Sequence, residues 1–210
     1  EIKSHRLWLH THAETGFDLT ETKPYVKSAL TEMGYAVHEC GKAGLVTTVG
    51  KPGGKVLLLR ADMDALPIAE EADVDFACKN GRMHACGHDM HTAMLLGAAK
   101  ILKAHESELG GTVKLMFQPA EETAVGALQM MKEHALDGVD AIYGVHVWGT
   151  YDAPGIAFPA GNLMACCHGF TIEVEGKSAH ASAPHEGVDA VMVASAILQS
   201  IQQLVSRMND

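Results

Sequence analysis

Apolar positions recur at helical spacing through ETKPYVKSALTEMG, where Tyr25, Val26, Ala29, Leu30 and Met33 share one face. Pro24 stands near the start of this stretch and Gly34 where a C-terminal cap belongs, so the pattern predicts a helix. Runs of strand character follow at YAVHE, GLVTTVG and KVLLLRA. The last is nearly all apolar, which predicts a central strand buried on both faces. In DMHTAMLLGAAKILKAHESEL the helical period passes through Met90, Met94, Gly97, Ala98, Ile101 and Leu102 and predicts another helix. TVKLMFQP then reads as a strand, GALQMMKEHAL as a short helix and DAIYGVHV as another buried strand. GKPGGK, between the second and third strand runs, reads as a hairpin turn; it lacks the GKS or GKT ending of a phosphate loop. Strands and helices in alternation predict an α/β layer fold with a largely parallel sheet.

The pattern changes near residue 160. FPAGNLMACCHGFTIEVEG reads as a long alternating strand, with Cys166 and Cys167 on opposite faces, and a polar loop leads to the helix GVDAVMVASAILQSIQQLVSR. A strand and a helix alone cannot bury their apolar faces, so these residues are expected to open a second domain and the chain to be a fragment. The expected division is 1–160 and 161–210.

Composition narrows the function. The formal charge is −10 and no run of Lys or Arg forms a stripe, which argues against nucleic acid or an anionic membrane surface as partner. No window reaches the about 18 consecutive apolar residues of a membrane span. The five cysteines, Cys40, Cys78, Cys86, Cys166 and Cys167, are odd in number and scattered, so a reducing cytoplasm is expected rather than a disulfide framework. Thirteen histidines against two Trp and four Tyr invite a search for ligands.

Polar residues gather where strands end. Asp62 and Asp64 follow KVLLLR, Glu121 and Glu122 follow TVKLMFQPA, and His146 closes DAIYGVH. In open α/β sheets the carboxyl ends of strands line the binding crevice, so these segments are expected to converge. Cys86-Gly87-His88 alone reads as a buried thiol and a helix cap. Joined by Glu122 and His146 it becomes a ligand set suited to Zn²⁺ or a close relative more than to Mg²⁺ or Ca²⁺. Adjacent glutamates would point apart on a regular strand, but Pro119 breaks the strand, so one can ligate while the other takes a proton from water; the alternative is a solvated acidic turn. Asp62 and Asp64 share a face, and one of them can hydrogen-bond a ligand imidazole.

RADMDALP (60–67), MHACGHDMHT (83–92), QPAEE (118–122), GVHVWG (144–149) and GKSAHASAPHEGVDA (176–190) together resemble the M20 metallopeptidase family in its amidohydrolase branch, which includes hippurate hydrolases, N-acyl-amino-acid deacylases and auxin-conjugate hydrolases. Asp62 stands where relatives with His-x-Asp carry the histidine. The resemblance implies a three-layer α/β/α zinc-peptidase-like catalytic domain with the start of an inserted ferredoxin-like α+β dimerisation (lid) domain. It implies two divalent metal ions, Zn²⁺ foremost with Mn²⁺, Ni²⁺ or Co²⁺ as alternatives. Cys86 would bridge them, His88 and His146 would bind one and Glu122 the other. Glu121 would be the general base, with Asp64 and His180 as the other catalytic residues, and His180 would steady an oxyanion in the partner's site. A further ligand histidine of the family has no counterpart before Asp210, which leaves a non-catalytic metal- or ligand-binding fragment as the alternative. The implied substrate is an N-acyl amino acid or a dipeptide-like amide, and the implied assembly at full length a homodimer. His10, His12, His84 and His91 are expected to be structural or to support ligands.

Overall fold

The computed structural model describes residues 1–150, 155–158, 160–164 and 169–208, which fall into two compact units, Glu1–Asp152 and Ala153–Asp210.

In the first unit, helices α1 (Ile2–Thr11) and α2 (Thr22–Glu32) precede strands β1 (His38–Cys40), β2 (Gly44–Gly50) and β3 (Val56–Asp62). Helix α3 (His88–Ala104), β4 (Thr112–Gln118), α4 (Gly126–Lys132) and β5 (Ala141–Gly144) follow. The strands form one five-stranded sheet in the order β1-β2-β4-β3-β5. β3 runs parallel to both β4 and β5, whereas β1, β2 and β4 pair antiparallel. The sheet is therefore mixed, not largely parallel.

GKPGGK is not a hairpin, because β2 and β3 both pair with β4, which lies between them. The turn steps over the start of β4, and the Lys51 N–H donates to Gly111 O while Lys55 O accepts the Thr112 N–H.

β4 shows how a two-residue period builds layers. Leu115 and Phe117 join Leu9, Val26, Leu30, Leu45 and Leu96 in the core beneath α1, α2 and α3. Met116, between them in sequence, packs with Leu58 and Met130 beneath α4 on the opposite face. Helices thus cover both faces, giving the α/β/α layering.

The pattern located α3 but misplaced part of its face. Its buried stripe runs through Thr92, Ala93, Leu96 and Ala99, whereas Met94 and Ile101 are exposed. Gly97 is buried because α1 crosses there, and a Cβ at 97 would meet the Ile2 side chain. The apolar pattern did not announce α1, whose inward residues include Arg6 and His10, both bonded to Asp89 of α3. β5 is not buried either. All four residues are exposed, and among the described residues β5 pairs only with β3, at the edge of the sheet.

In the second unit, α5 (Ala190–Met208) is capped by the Asp189 carboxylate, which accepts the Val191 and Met192 N–H groups. The long strand expected before it is not formed by the described residues, among which only Lys177 bridges to Val188. Cys166 and Cys167 lie outside the described residues. No helix among the described residues is long and apolar enough to cross a membrane.

Candidate metal centre

Because β3, β4 and β5 run in the same direction, their carboxyl ends lie on one edge of the sheet and deliver Asp62, Gln118 and Gly144 there. Beyond β3, the Met63 N–H donates to Gln118 O at 2.9 Å and carries the pairing one step further. Beyond β4 the chain turns sharply, with Ala120 and Ala124 both in the left-handed region at φ 51° and 57°. Side chains at such angles cost on the order of 1–3 kcal/mol each, and the surroundings hold them. The Ala120 N–H donates to Gly16 O at 3.0 Å, and Ala120 O accepts the Gly126 N–H at 3.1 Å.

Asp64, fully buried, secures the glutamates that this turn presents. Its carboxylate accepts the Glu121 N–H at 2.9 Å and the Glu122 N–H at 3.3 Å. Its carbonyl oxygen accepts a hydrogen bond from His88 Nδ1 at 2.7 Å.

The turn into α3 supplies the thiol, and the first residue of α3 the first imidazole. Gly87 caps the helix at φ 88°, a left-handed conformation that favours glycine, and a Cβ there would collide with Val147. The turn leaves Cys86 and His88 beside the segment after β5. Cys86 Sγ lies 3.4 Å from His146 Nε2. Both imidazoles spend Nδ1 on a backbone carbonyl: His88 on Asp64, and His146 on Val147 O at 2.6 Å. A carbonyl can only accept, so each Nδ1 carries a proton, and in the neutral ring that leaves the Nε2 lone pair facing the site.

The ligand-type atoms of Cys86, His88 and His146 all lie within 4.8 Å of one another, as do those of His88, Glu121 and Glu122. His88 Nε2, in both groups, sits 3.8 Å from Glu121 Oε2 and 3.8 Å from Glu122 Oε1, too far to hydrogen-bond. His88 Nε2 and Glu122 Oε1 are buried without a hydrogen-bond partner. Orphaned buried atoms cost about 1–3 kcal/mol each, and a shared cation would satisfy both. A third group, Asp62, His88 and His91, is also within 4.8 Å, but there the Asp62 and His91 side chains are already engaged with each other.

The local field tells the same story. Burial, and then the charges of Glu122, Glu121 and Asp62, push the Cys86 thiol up to about 11. Burial raises Glu122 above the ordinary carboxylate range, with Glu121 and Asp64 adding to the shift, and burial raises Asp64 as well. For Asp62 burial also acts upward, but the His91 hydrogen bond and the Arg60 charge outweigh it and hold the carboxyl at about 2. A thiol and carboxylates that disfavour one another's ionisation fit divalent cations, whose charge would offset that repulsion and favour the ionised forms.

His180 belongs to the second unit, where it is exposed and its Nδ1 accepts the Ser182 N–H at 3.2 Å. Arg60 and Gln118 were not singled out by the motifs. Arg60 Nη1 donates to Asp62 Oδ2 at 2.6 Å and its Nε to Gln118 Oε1 at 2.9 Å. The available signal was a lone cation in an otherwise apolar strand, two residues before Asp62 and therefore on the same face.

The sequence profile described as Peptidase family M20/M25/M40 matches residues 58–209. The chain is 41% identical over 205 residues to N-acetyl-L-cysteine deacetylase of Bacillus subtilis, covering 96% of this chain and 49% of that protein. It is 37% identical over 214 residues to N-acyl-L-amino acid amidohydrolase of Geobacillus stearothermophilus, covering 100% of this chain and 58% of the relative. Among solved structures, a Bacillus subtilis protein described as a dinuclear metal binding peptidase superposes with a TM-score of 0.68 at 40% identity, over 71% of this chain and 43% of that one. The chain thus spans about half the length of the curated relatives it matches.

Proposed function

Because the chain belongs to peptidase family M20/M25/M40, we propose that it serves as a metal-dependent amidohydrolase acting on N-acyl amino acids or short peptide-like amides. Relatives named for N-acetyl-L-cysteine deacetylation and for N-acyl-L-amino acid hydrolysis support that substrate class. The observation that carries the reading is the gathering at one sheet edge of a thiol, two imidazoles whose Nδ1 atoms are held by backbone carbonyls and two glutamates on a clamped backbone.

In this reading Cys86, His88, Glu122 and His146 would hold two divalent cations, with Zn²⁺ favoured by the thiolate. When bound, such ions polarise an amide carbonyl and bring the pKa of a water toward neutrality. Glu121 accepts the proton that the attacking water gives up and passes it to the leaving amine nitrogen as the C–N bond breaks. The side chain of Glu121 is 37% exposed and that of Glu122 20%, which suits Glu121 to the mobile proton and Glu122 to a fixed ligand role. Asp64 works by fixing both glutamate backbones and the His88 ring. His180 steadies the oxyanion from the second copy of a homodimer. Residues 1–160 form the catalytic part and 161–210 open the dimerisation (lid) domain. Free thiols at Cys40, Cys78 and Cys86 suit a reducing cytoplasm.

The test compares Glu121→Gln with Glu122→Gln. Glu121→Gln should keep wild-type metal content and lose turnover of an N-acyl amino acid, whereas Glu122→Gln should lose metal. Near-normal turnover by Glu121→Gln would remove it from the mechanism.

A further inference from the structure

His91 lies one helical turn beyond His88 on α3, 3% exposed, and is no member of the ligand set above. Its Nε2 accepts the Val147 N–H at 3.0 Å, and its Nδ1 bonds Asp62 Oδ1 at 2.6 Å. A backbone N–H can only donate. The Val147 bond therefore leaves Nε2 as acceptor and puts the ring proton on Nδ1, where the Asp62 carboxylate receives it. Asp62 is held in turn by Arg60, and Arg60 by Gln118. Gln118, Arg60, Asp62, His91 and Val147 thus form one hydrogen-bonded chain across β4, β3, α3 and the segment after β5.

That last segment needs a tether. β5 is a four-residue edge strand, exposed throughout and, among the described residues, paired only with β3. His146 stands two residues beyond its end, and its ring meets that of His91 edge-on with centroids 4.7 Å apart. We propose that His91 is a positioning residue whose Nε2, gripping the Val147 N–H, keeps His146 in register with Cys86 and His88. Asp62 enforces the ring tautomer that can grip. The inference rests on the assignment of His146 as a metal ligand, and it adds a role for a side chain that touches neither metal nor substrate.

The experiment measures two things on the full chain: the affinities for Co²⁺ by titration, and the hydrogen-exchange rate of the Val147 amide at saturating Co²⁺. In His91→Phe one of the two ions should bind about 10–100-fold more weakly, the usual cost of removing a group that supports a ligand. The Val147 amide should exchange at least tenfold faster, since it has lost its acceptor. His91→Gln, whose amide oxygen can accept the Val147 N–H, should restore both measurements in part. If His91→Phe leaves either the weaker Co²⁺ affinity or the Val147 rate within twofold of wild type, or if Gln restores neither, the proposal is wrong. Should His91→Phe fail to fold, His91→Gln is compared with wild type directly: affinity and protection kept or lost together support the tether, and a change in one without the other overturns it. A wild-type chain that binds no second Co²⁺ sinks the metal reading instead, and the Val147 rate still tests the hydrogen bond by itself.

Discussion

Replacing Glu14 by alanine should destabilise the first unit by about 2–4 kcal/mol and loosen the turn that carries Glu121 and Glu122. Glu14 is buried, and its carboxylate accepts the Thr20 hydroxyl at 2.8 Å, the Glu21 N–H at 3.1 Å and the Thr22 N–H at 2.8 Å. It therefore caps α2 from outside the helix, satisfying main-chain donors that no local side chain reaches. Hydrogen bonds to a charged group contribute about 1.5–3 kcal/mol, and donors stranded by truncation add to the loss, whereas water entering the space offsets part of it. The backbone of Glu14 transmits the effect. Its carbonyl accepts the Ala65 N–H, next to Asp64, and Gly16 O accepts the Ala120 N–H, next to Glu121.

Urea unfolding of wild type and Glu14→Ala at neutral pH measures the difference. Burial acts to raise the Glu14 carboxyl, but the hydrogen bonds from Thr22, Thr20 and Glu21 outweigh it and set the folded value below the ordinary 4.5. Stability from a lowered carboxyl is complete above the unfolded-state value and is lost as pH falls through the folded one. The gap between the two proteins should therefore be constant above about pH 5.5, about one unit above that ordinary value, and should shrink in acid. A gap below about 0.5 kcal/mol at pH 7, or one that widens in acid, would refute the capping argument.

Three further outcomes are expected. Gly87→Ala forces a Cβ into a left-handed position and against Val147, so it should cost about 1–3 kcal/mol in thermal unfolding and weaken Co²⁺ binding in parallel; an unchanged Tm would contradict the close approach. Glu121→Gln should lower kcat by about 10²–10⁴ with KM little changed, read by amine release from an N-acyl amino acid. Chelation should lower Tm and added Zn²⁺ should restore it, because an ion at about 100 times its Kd stabilises the folded state by about 2.7 kcal/mol; a Tm indifferent to chelator would count against a metal centre.

Much of the architecture could be read from side-chain period. β4 alternates faithfully because each of its faces meets a helix layer, and the polar residues that follow the parallel strands do lie on one edge. The misreadings share a cause, which is that periodicity reports apolarity and not neighbours. DAIYGVHV is as apolar as a core strand, yet β5 is an edge. GKPGGK looks like a hairpin because nothing in six residues reveals that β4, sixty residues later, will insert between the strands it joins. α1 stayed hidden because it docks through Arg6 and His10, and their acceptor, Asp89, is visible only once α3 is in place. His91 was expected to be structural or to support a ligand, but its partners, the Val147 N–H and the Asp62 carboxylate, come from distant segments that no local pattern names.

The Nδ1 protons of His88 and His146 rest on main-chain carbonyls rather than on carboxylates or amides. Every one of the twenty amino acids brings that same oxygen, so no replacement of the residue that supplies it deletes the acceptor. The protonation pattern that leaves each Nε2 ready to coordinate is thus insulated from point mutation in a way that a side-chain partner could not provide. Lineages sharing this backbone are free to change the surrounding side chains while both rings go on presenting the same nitrogen.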